Sequence, residues 1–144
     1  LFGTGKELFA NANAILDGLK SYPGNALIKQ LLPDPKEDRA AAVEQMRKTR
    51  DWAMARLKAK GIDNAEKLRA QTLEDARAAA SILAARATAS EAEEYRQWAL
   101  SIAERVANAA TEGGFLGFGG DRVTPAEKSL IDDIRKALGS SAIA

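Results

Sequence analysis

Hydrophobic side chains recur along most of this chain at intervals of three and four residues, which is the spacing of one face of an α-helix. The most regular stripe has 3-4-3-4-3 spacing and comprises Ala92, Tyr95, Ala99, Ile102, Val106 and Ala109. A second seam comprises Leu73, Ala76, Ala80, Leu83 and Ala87, and a third comprises Leu8, Ala12, Ile15 and Leu19. No segment sustains the period-two alternation of a half-buried strand, so we expect no sheet.

Capping residues and glycines divide this pattern into helices. Residues 4–20 and 25–32 are predicted to form the first two, and a helix capped by Asp34 runs to about Lys60, before Gly61. A short helix begins after Asp63, with a further cap or a kink near Thr72. The last two helices are predicted from capping boxes, one at Ser90 that leads to Gly113 and one at Thr124 that leads to Gly139.

These elements predict an all-α, single-domain antiparallel bundle with four main helices plus two short ones. Its 144 residues suit one domain, which we place at 1–139, with a frayed tail at 140–144. Short connections favour antiparallel neighbours. Alanine is abundant and aromatic residues make up 6% of the chain, so we expect a thin, closely packed core.

Composition excludes several classes of chemistry. The chain has no Cys and no His, which rules out disulfides, thiolate nucleophiles and histidine-based catalysis or metal binding. We therefore lean against an enzyme and expect no catalytic residue, no metal and no cofactor. The net charge of +1 predicts no nucleic-acid partner, and no apolar stretch approaches the ~20 residues of a membrane span. A cytoplasmic location is the default expectation, and export stays open because Leu1 rather than Met comes first.

One segment differs in composition from the rest and is our candidate interaction loop. Glycines there allow unusual backbone conformations, while two phenylalanines are costly to order unless they bury apolar area. We expect the loop either to close the end of the bundle or to contact a partner. Its residues are Gly113, Gly114, Phe115, Leu116, Gly117, Phe118, Gly119 and Gly120.

Two ligand-binding interpretations of this region are weaker than a structural one. A phosphate cradle would follow a strand and end in a Gly-Lys-Ser/Thr run, and neither feature is present. Half an EF-hand would place Glu127 at position twelve, but positions one, three and five become Leu116, Phe118 and Gly120, which offer no carboxylate. Glu127 is better explained as the capping-box partner of Thr124.

Two further hypotheses concern charged and aromatic side chains. The basic helix 36–60 is better explained as a solvated face with local pairs such as Glu44 to Lys48 than as a nucleic-acid face. Trp52 and Trp98 lie off the main stripes, so we predict a symmetric homodimer with at least one tryptophan at the contact. The rival to a binding protein is a small-ligand-binding or carboxylate-based catalytic bundle that would gather some of Asp17, Glu44, Glu94, Glu104 and Asp132 in one pocket.

The last third of the chain resembles an uncharacterised bacterial family of small helical proteins. The resemblance lies in residues 95–107, in the run Glu-Gly-Gly-Phe-Leu-Gly-Phe-Gly-Gly at 112–120, and in Val-Thr-Pro-Ala-Glu at 123–127. The second half of this motif is also distantly similar to tellurite-resistance TerB-like domains, without a second carboxylate near Asp121. The resemblance implies a helical fold and a bacterial source, and it implies no activity. We expect a non-enzymatic protein that binds another macromolecule. That macromolecule could be a protein, whose identity the sequence does not give.

Overall fold

The computed structural model describes residues 14–32, 36, 38–113 and 124–139. Helix α1 covers residues 14–21, and it is followed by α2 (Ala26–Leu31), α3 (Arg39–Ala59), α4 (Ala65–Arg86), α5 (Ala89–Gly113) and α6 (Pro125–Ala137). No strand occurs in these ranges, which confirms the predicted all-α class. The antiparallel order of the helices and the 1–139 domain stay predictions, and the predicted tail at 140–144 lies outside the described residues.

Three predicted helix starts are wrong by one to four residues. Helix α3 begins after Asp38 rather than Asp34, because the Asp38 carboxylate accepts the Ala41 N–H at 2.9 Å. Helix α4 begins after Asn64, whose side chain accepts the Lys67 N–H at 2.9 Å. The predicted cap Asp63 instead binds the Lys67 ammonium at 2.8 Å. At α4 two adjacent residues can cap, and the one whose side chain reaches the third backbone N–H of the helix does so, while at α3 the predicted cap Asp34 lies outside the described residues.

Helix α5 is the third case, and it begins earlier than predicted, whereas α3 and α4 begin later. Thr88, rather than Ser90, forms the capping box, since its hydroxyl accepts the Glu91 N–H at 3.2 Å. The Glu91 carboxylate in turn accepts the Thr88 N–H at 3.0 Å, and these bonds from Thr88 hold the pKa of Glu91 below its usual range.

The short helix predicted near residue 63 is the first part of α4, which continues without a new cap to Arg86. Thr72 does not cap a helix there, because its hydroxyl donates to the Leu68 carbonyl one turn earlier at 2.8 Å. The predicted capping box of α6 is confirmed, with the Glu127 carboxylate accepting the Thr124 N–H at 2.7 Å. Gly61 has a φ of 66°, the left-handed geometry that its position after the helix predicts, and Gly139 after α6 has a φ of 75°.

Two small hydrophobic clusters lie on different sides of α5. The first contains Ile28, Leu32 and Trp98, and the second contains Ala76, Leu100 and Leu138. The backbone of α4 packs closely against α6, that of α5 against α6, that of α2 against α5, and that of α4 against α5. Helix α5 therefore contributes to both clusters. The alanines of the second cluster agree with the thin core predicted from composition. None of the helices described here combines the length and apolar character needed to cross a membrane.

Trp98 fills the space between α1 and α5 and is 7% exposed. Its indole N–H donates to the Ile15 carbonyl at 3.1 Å. A Cβ atom on Gly18 would lie 2.4 Å from the indole nitrogen, so only glycine allows α1 to approach this ring. Trp98 is therefore part of the core within one chain, and Trp52 is the tryptophan left for the predicted dimer contact.

Candidate interaction surface

The structure locates part of the predicted interaction loop. Gly113 is the last residue of α5. The other seven residues, Gly114, Phe115, Leu116, Gly117, Phe118, Gly119 and Gly120, lie outside the described residues. The loop therefore stays a prediction, and a second surface comes from α3.

Helix α3 is the most exposed long helix in the described part of the chain. Of its 21 residues, Ala42 alone is buried. Trp52 is 65% exposed, Val43 is 60% exposed and Met54 is 37% exposed. Helix α3 takes no comparable part in the close packing that joins α2, α4, α5 and α6. Tryptophan is among the residues that contribute most binding energy at protein interfaces, so Trp52 is the notable exposed side chain of this helix.

Several ion pairs join side chains within α3 itself. Arg47 pairs with Glu44 at 2.8 Å and with Asp51 at 2.9 Å, while Lys48 pairs with Glu44 at 3.7 Å. These contacts lower the pKa of Glu44, chiefly through its hydrogen bond with Arg47. The predicted Glu44–Lys48 pair is thus present on a solvated face. Such pairs explain how a helix with so little buried surface persists.

The C-terminal part of α3 is tied to α4 by polar contacts. Both terminal nitrogens of the Arg56 guanidinium donate to the Asp75 carboxylate, at 2.7 and 2.8 Å. Asp75 also accepts from the Gln71 amide at 2.9 Å, and Lys60 donates to Gln71 at 2.9 Å. The hydrogen bond from Arg56 is the main reason that the pKa of Asp75 is lowered. This arrangement fixes one end of α3 and leaves the rest of the helix available.

Arg56 also lies beside the exposed tryptophan. Its guanidinium carbon lies 5.8 Å from the centroid of the Trp52 ring, one helical turn away. A cation over an aromatic face is attracted by the ring quadrupole. Because Arg56 is held by Asp75, its cation has a fixed position beside the Trp52 ring.

A shallow groove of about 280 Å³ lies where α2 meets the end of α4 and the start of α5. It is mostly apolar, and Glu91 is the one carboxylate among its described lining residues. That carboxylate is already engaged by Thr88. The lining includes Ala26, Leu27, Ile82, Leu83, Arg86 and Glu91.

The five carboxylates of the rival hypothesis do not line this groove, and each is engaged elsewhere. Asp17 bonds Arg105 and Lys20, which lower its pKa. Glu94 accepts from the buried Asn25 amide at 2.8 Å, and Glu44 pairs within α3. Glu104 and Asp132 both pair with Arg135, at 3.5 and 2.6 Å. In the described ranges no group of three acidic side chains is placed to hold a metal ion.

The sequence already contained the signals for α3: a ragged apolar face, an excess of basic residues and a tryptophan off the stripe. The sequence did not show that α3 stands apart from the other helices, because this depends on which of those helices pack against one another. Comparisons with protein families, with curated proteins and with solved structures find no match to this chain.

Proposed function

We propose that this protein is a non-enzymatic helical binding protein that acts by contacting another macromolecule, with α3 as its main contact. The observation that carries the proposal is the 65% exposure of Trp52 on a helix that buries only Ala42. Tryptophan and arginine are the residues most enriched where binding energy concentrates, and here Trp52 and Arg56 stand together. The Gly/Phe loop 113–120 belongs to the same proposal, either as a second contact or as a structural cap.

Photo-cross-linking in cells of the natural source tests this proposal. Trp52 is replaced by the photoreactive amino acid p-benzoylphenylalanine, which keeps a large aromatic group at that position. The matched control carries the same group at Lys128, an exposed position on α6. We expect discrete cross-linked species from position 52 that position 128 does not give. Equal, diffuse labelling from both positions would contradict a contact on α3.

A further inference from the structure

The exposed residues of α3 form two flanks on opposite sides of the helix. The first, the Val43 flank, has 4-3-4-4 spacing and contains Val43, Arg47, Arg50, Met54 and Lys58, all of which are exposed. The second, the Trp52 flank, is centred on Trp52, nine residues after Val43. At ~100° per residue these two side chains lie about 180° apart around the helix axis. The Val43 flank therefore combines apolar and basic side chains, and on the other side Trp52 has Lys48 and Arg56 one helical turn before and after it.

Helix α3 carries far more positive charge than the chain as a whole. Between Arg39 and Ala59 there are six Lys or Arg residues and two carboxylates, which gives +4, whereas the full chain carries +1. The rest of the chain accordingly carries −3. The carboxylates that pair with Arg47 and Arg50 are about half exposed, and such exposed ion pairs add little to the stability of a fold. Carboxylates from a partner can therefore replace them without a large penalty.

From these two features we infer that the partner of α3 is an acidic protein with an apolar groove that encloses the helix; this inference rests on the proposed function. A bilayer surface is flat and could bury one flank while the other stayed in water. Nucleic acid would place phosphates against Glu44, Asp51 and the apolar side chains. A protein groove can bury Val43 and Met54 on one wall and Trp52 on the other, with its carboxylates meeting Arg47 and Arg50 on the Val43 side.

Cross-linking from both flanks is the direct test. p-Benzoylphenylalanine is placed at Val43 or Met54 on one flank and at Trp52 on the other, again with Lys128 as the control position. We expect one and the same protein to be captured from both flanks, with the cross-linked sites mapped by mass spectrometry to acidic segments of that protein. Capture of a protein from one flank only would overturn the inference that the partner holds α3 in a groove.

Charge variants test the electrostatic part in the same assay. Arg47→Glu with Arg50→Glu should lower the cross-linking yield at Trp52 at least tenfold. The milder Arg47→Gln with Arg50→Gln, which adds no repulsion within the helix, should lower it about threefold. The matched control, Arg77→Glu with Lys128→Glu, makes the same charge change on exposed positions of α4 and α6 and should leave the yield unchanged. Circular dichroism confirms that each variant is helical, and an unchanged yield in the folded glutamine variant would refute the acidic partner.

The remaining outcomes separate this inference from the proposed function. Cosedimentation of the protein with phosphatidylserine vesicles, or a shift of duplex DNA at physiological salt that the glutamine variant loses, would overturn the protein partner and leave α3 as the contact. Cross-linking of the chain to a second copy of itself would likewise overturn the acidic partner and leave α3 as the contact. If none of the three positions on α3 gives more product than Lys128, the proposed function itself fails.

Discussion

Asn25 shows how one buried side chain joins two helices. It is 1% exposed and caps α2 by accepting the Ile28 N–H at 3.0 Å. Its amide also donates to the Glu91 carbonyl at 3.2 Å and to the Glu94 carboxylate at 2.8 Å, both on α5. Asn64 caps α4 in the same way but is exposed and has no bond to another helix among the described residues.

The two asparagines make a matched pair of variants. Asn25→Ala should lower the free energy of unfolding by about 2–3 kcal/mol, because it removes a cap and leaves the half-buried Glu94 carboxylate without this hydrogen bond. Asn64→Ala should cost about 1 kcal/mol, the ordinary value for a cap. Urea unfolding at neutral pH measures both. Equal losses would show that the bonds between Asn25 and α5 contribute nothing to stability.

Gly18 makes a second prediction at this scale. Gly18→Ala should destabilise the protein by about 1–3 kcal/mol despite the better helix propensity of alanine, because the new methyl group would collide with Trp98. Gly24→Ala is the control, since no atom lies within 4 Å of the position that its Cβ would take. Urea unfolding of the two variants measures the difference. A Gly18 variant as stable as the Gly24 variant would contradict the close approach of α1 to the indole.

Among the elements, α3 depends on its tie to α4. The pKa of Asp75 is lowered by Arg56, so the pair stabilises the fold above the unfolded pKa of ~3.9, and this contribution is lost as pH falls through the lower folded value. Asp75→Asn should cost about 0.5–1 kcal/mol near pH 6, since both partners are partly exposed, and less near pH 3, which lies below the unfolded pKa of ~3.9. Urea midpoints at the two pH values give the difference between native protein and variant.

Hydrogen exchange supplies the control for this tie. Amides near Arg56 should exchange faster in Asp75→Asn, because the end of α3 is released. Asp63→Asn removes an ion pair to Lys67 that lies four residues away in the chain, and it should leave those amides unchanged. Faster exchange in both variants would show a general loss of stability instead of a local tie.

Sequence patterns predicted the helices well because the signals for them are local. Stripes at three and four residues and capping side chains act within a turn or two, so most helices were expected where the structure has them. The predicted start of α4 was wrong because two adjacent residues, Asp63 and Asn64, could both cap.

The role of Gly18 was missed for a different reason. Sequence reasoning assigns Gly18 only a cost in helix propensity, while its partner Trp98 is 80 residues away. The isolation of α3 was likewise hidden, because it depends on contacts made by other helices.

For the whole molecule, the exposed Trp52 gives the dimer prediction a definite form. If the chain forms a symmetric dimer with a tryptophan at the contact, Trp52→Ser should shift sedimentation toward the monomer, because the lost ring is a large part of the apolar area available there. Val43→Ser, on the opposite flank, tests whether the effect is specific to Trp52. A native protein that sediments as a monomer at high concentration would refute the dimer and leave α3 free for other partners.

The two hydrophobic clusters raise the question of whether the chain unfolds as one unit, as the single-domain prediction requires. They share α5, since Trp98 belongs to one cluster and Leu100 to the other, so in a cooperative fold a substitution in one cluster should also destabilise the other.

In a Trp52→Phe background, fluorescence reports Trp98 in the first cluster while circular dichroism reports all helices. Leu138→Ala in the second cluster should lower the unfolding midpoint seen by both probes equally, with an unchanged slope, at a cost of about 2–5 kcal/mol. Ile28→Val, in the first cluster, should give the same coincidence with a loss of about 0.5–1.5 kcal/mol. In Leu138→Ala, the midpoint seen by circular dichroism could fall while the midpoint seen by fluorescence stays fixed. That result would mean that the two clusters unfold separately and that the chain is not one cooperative domain.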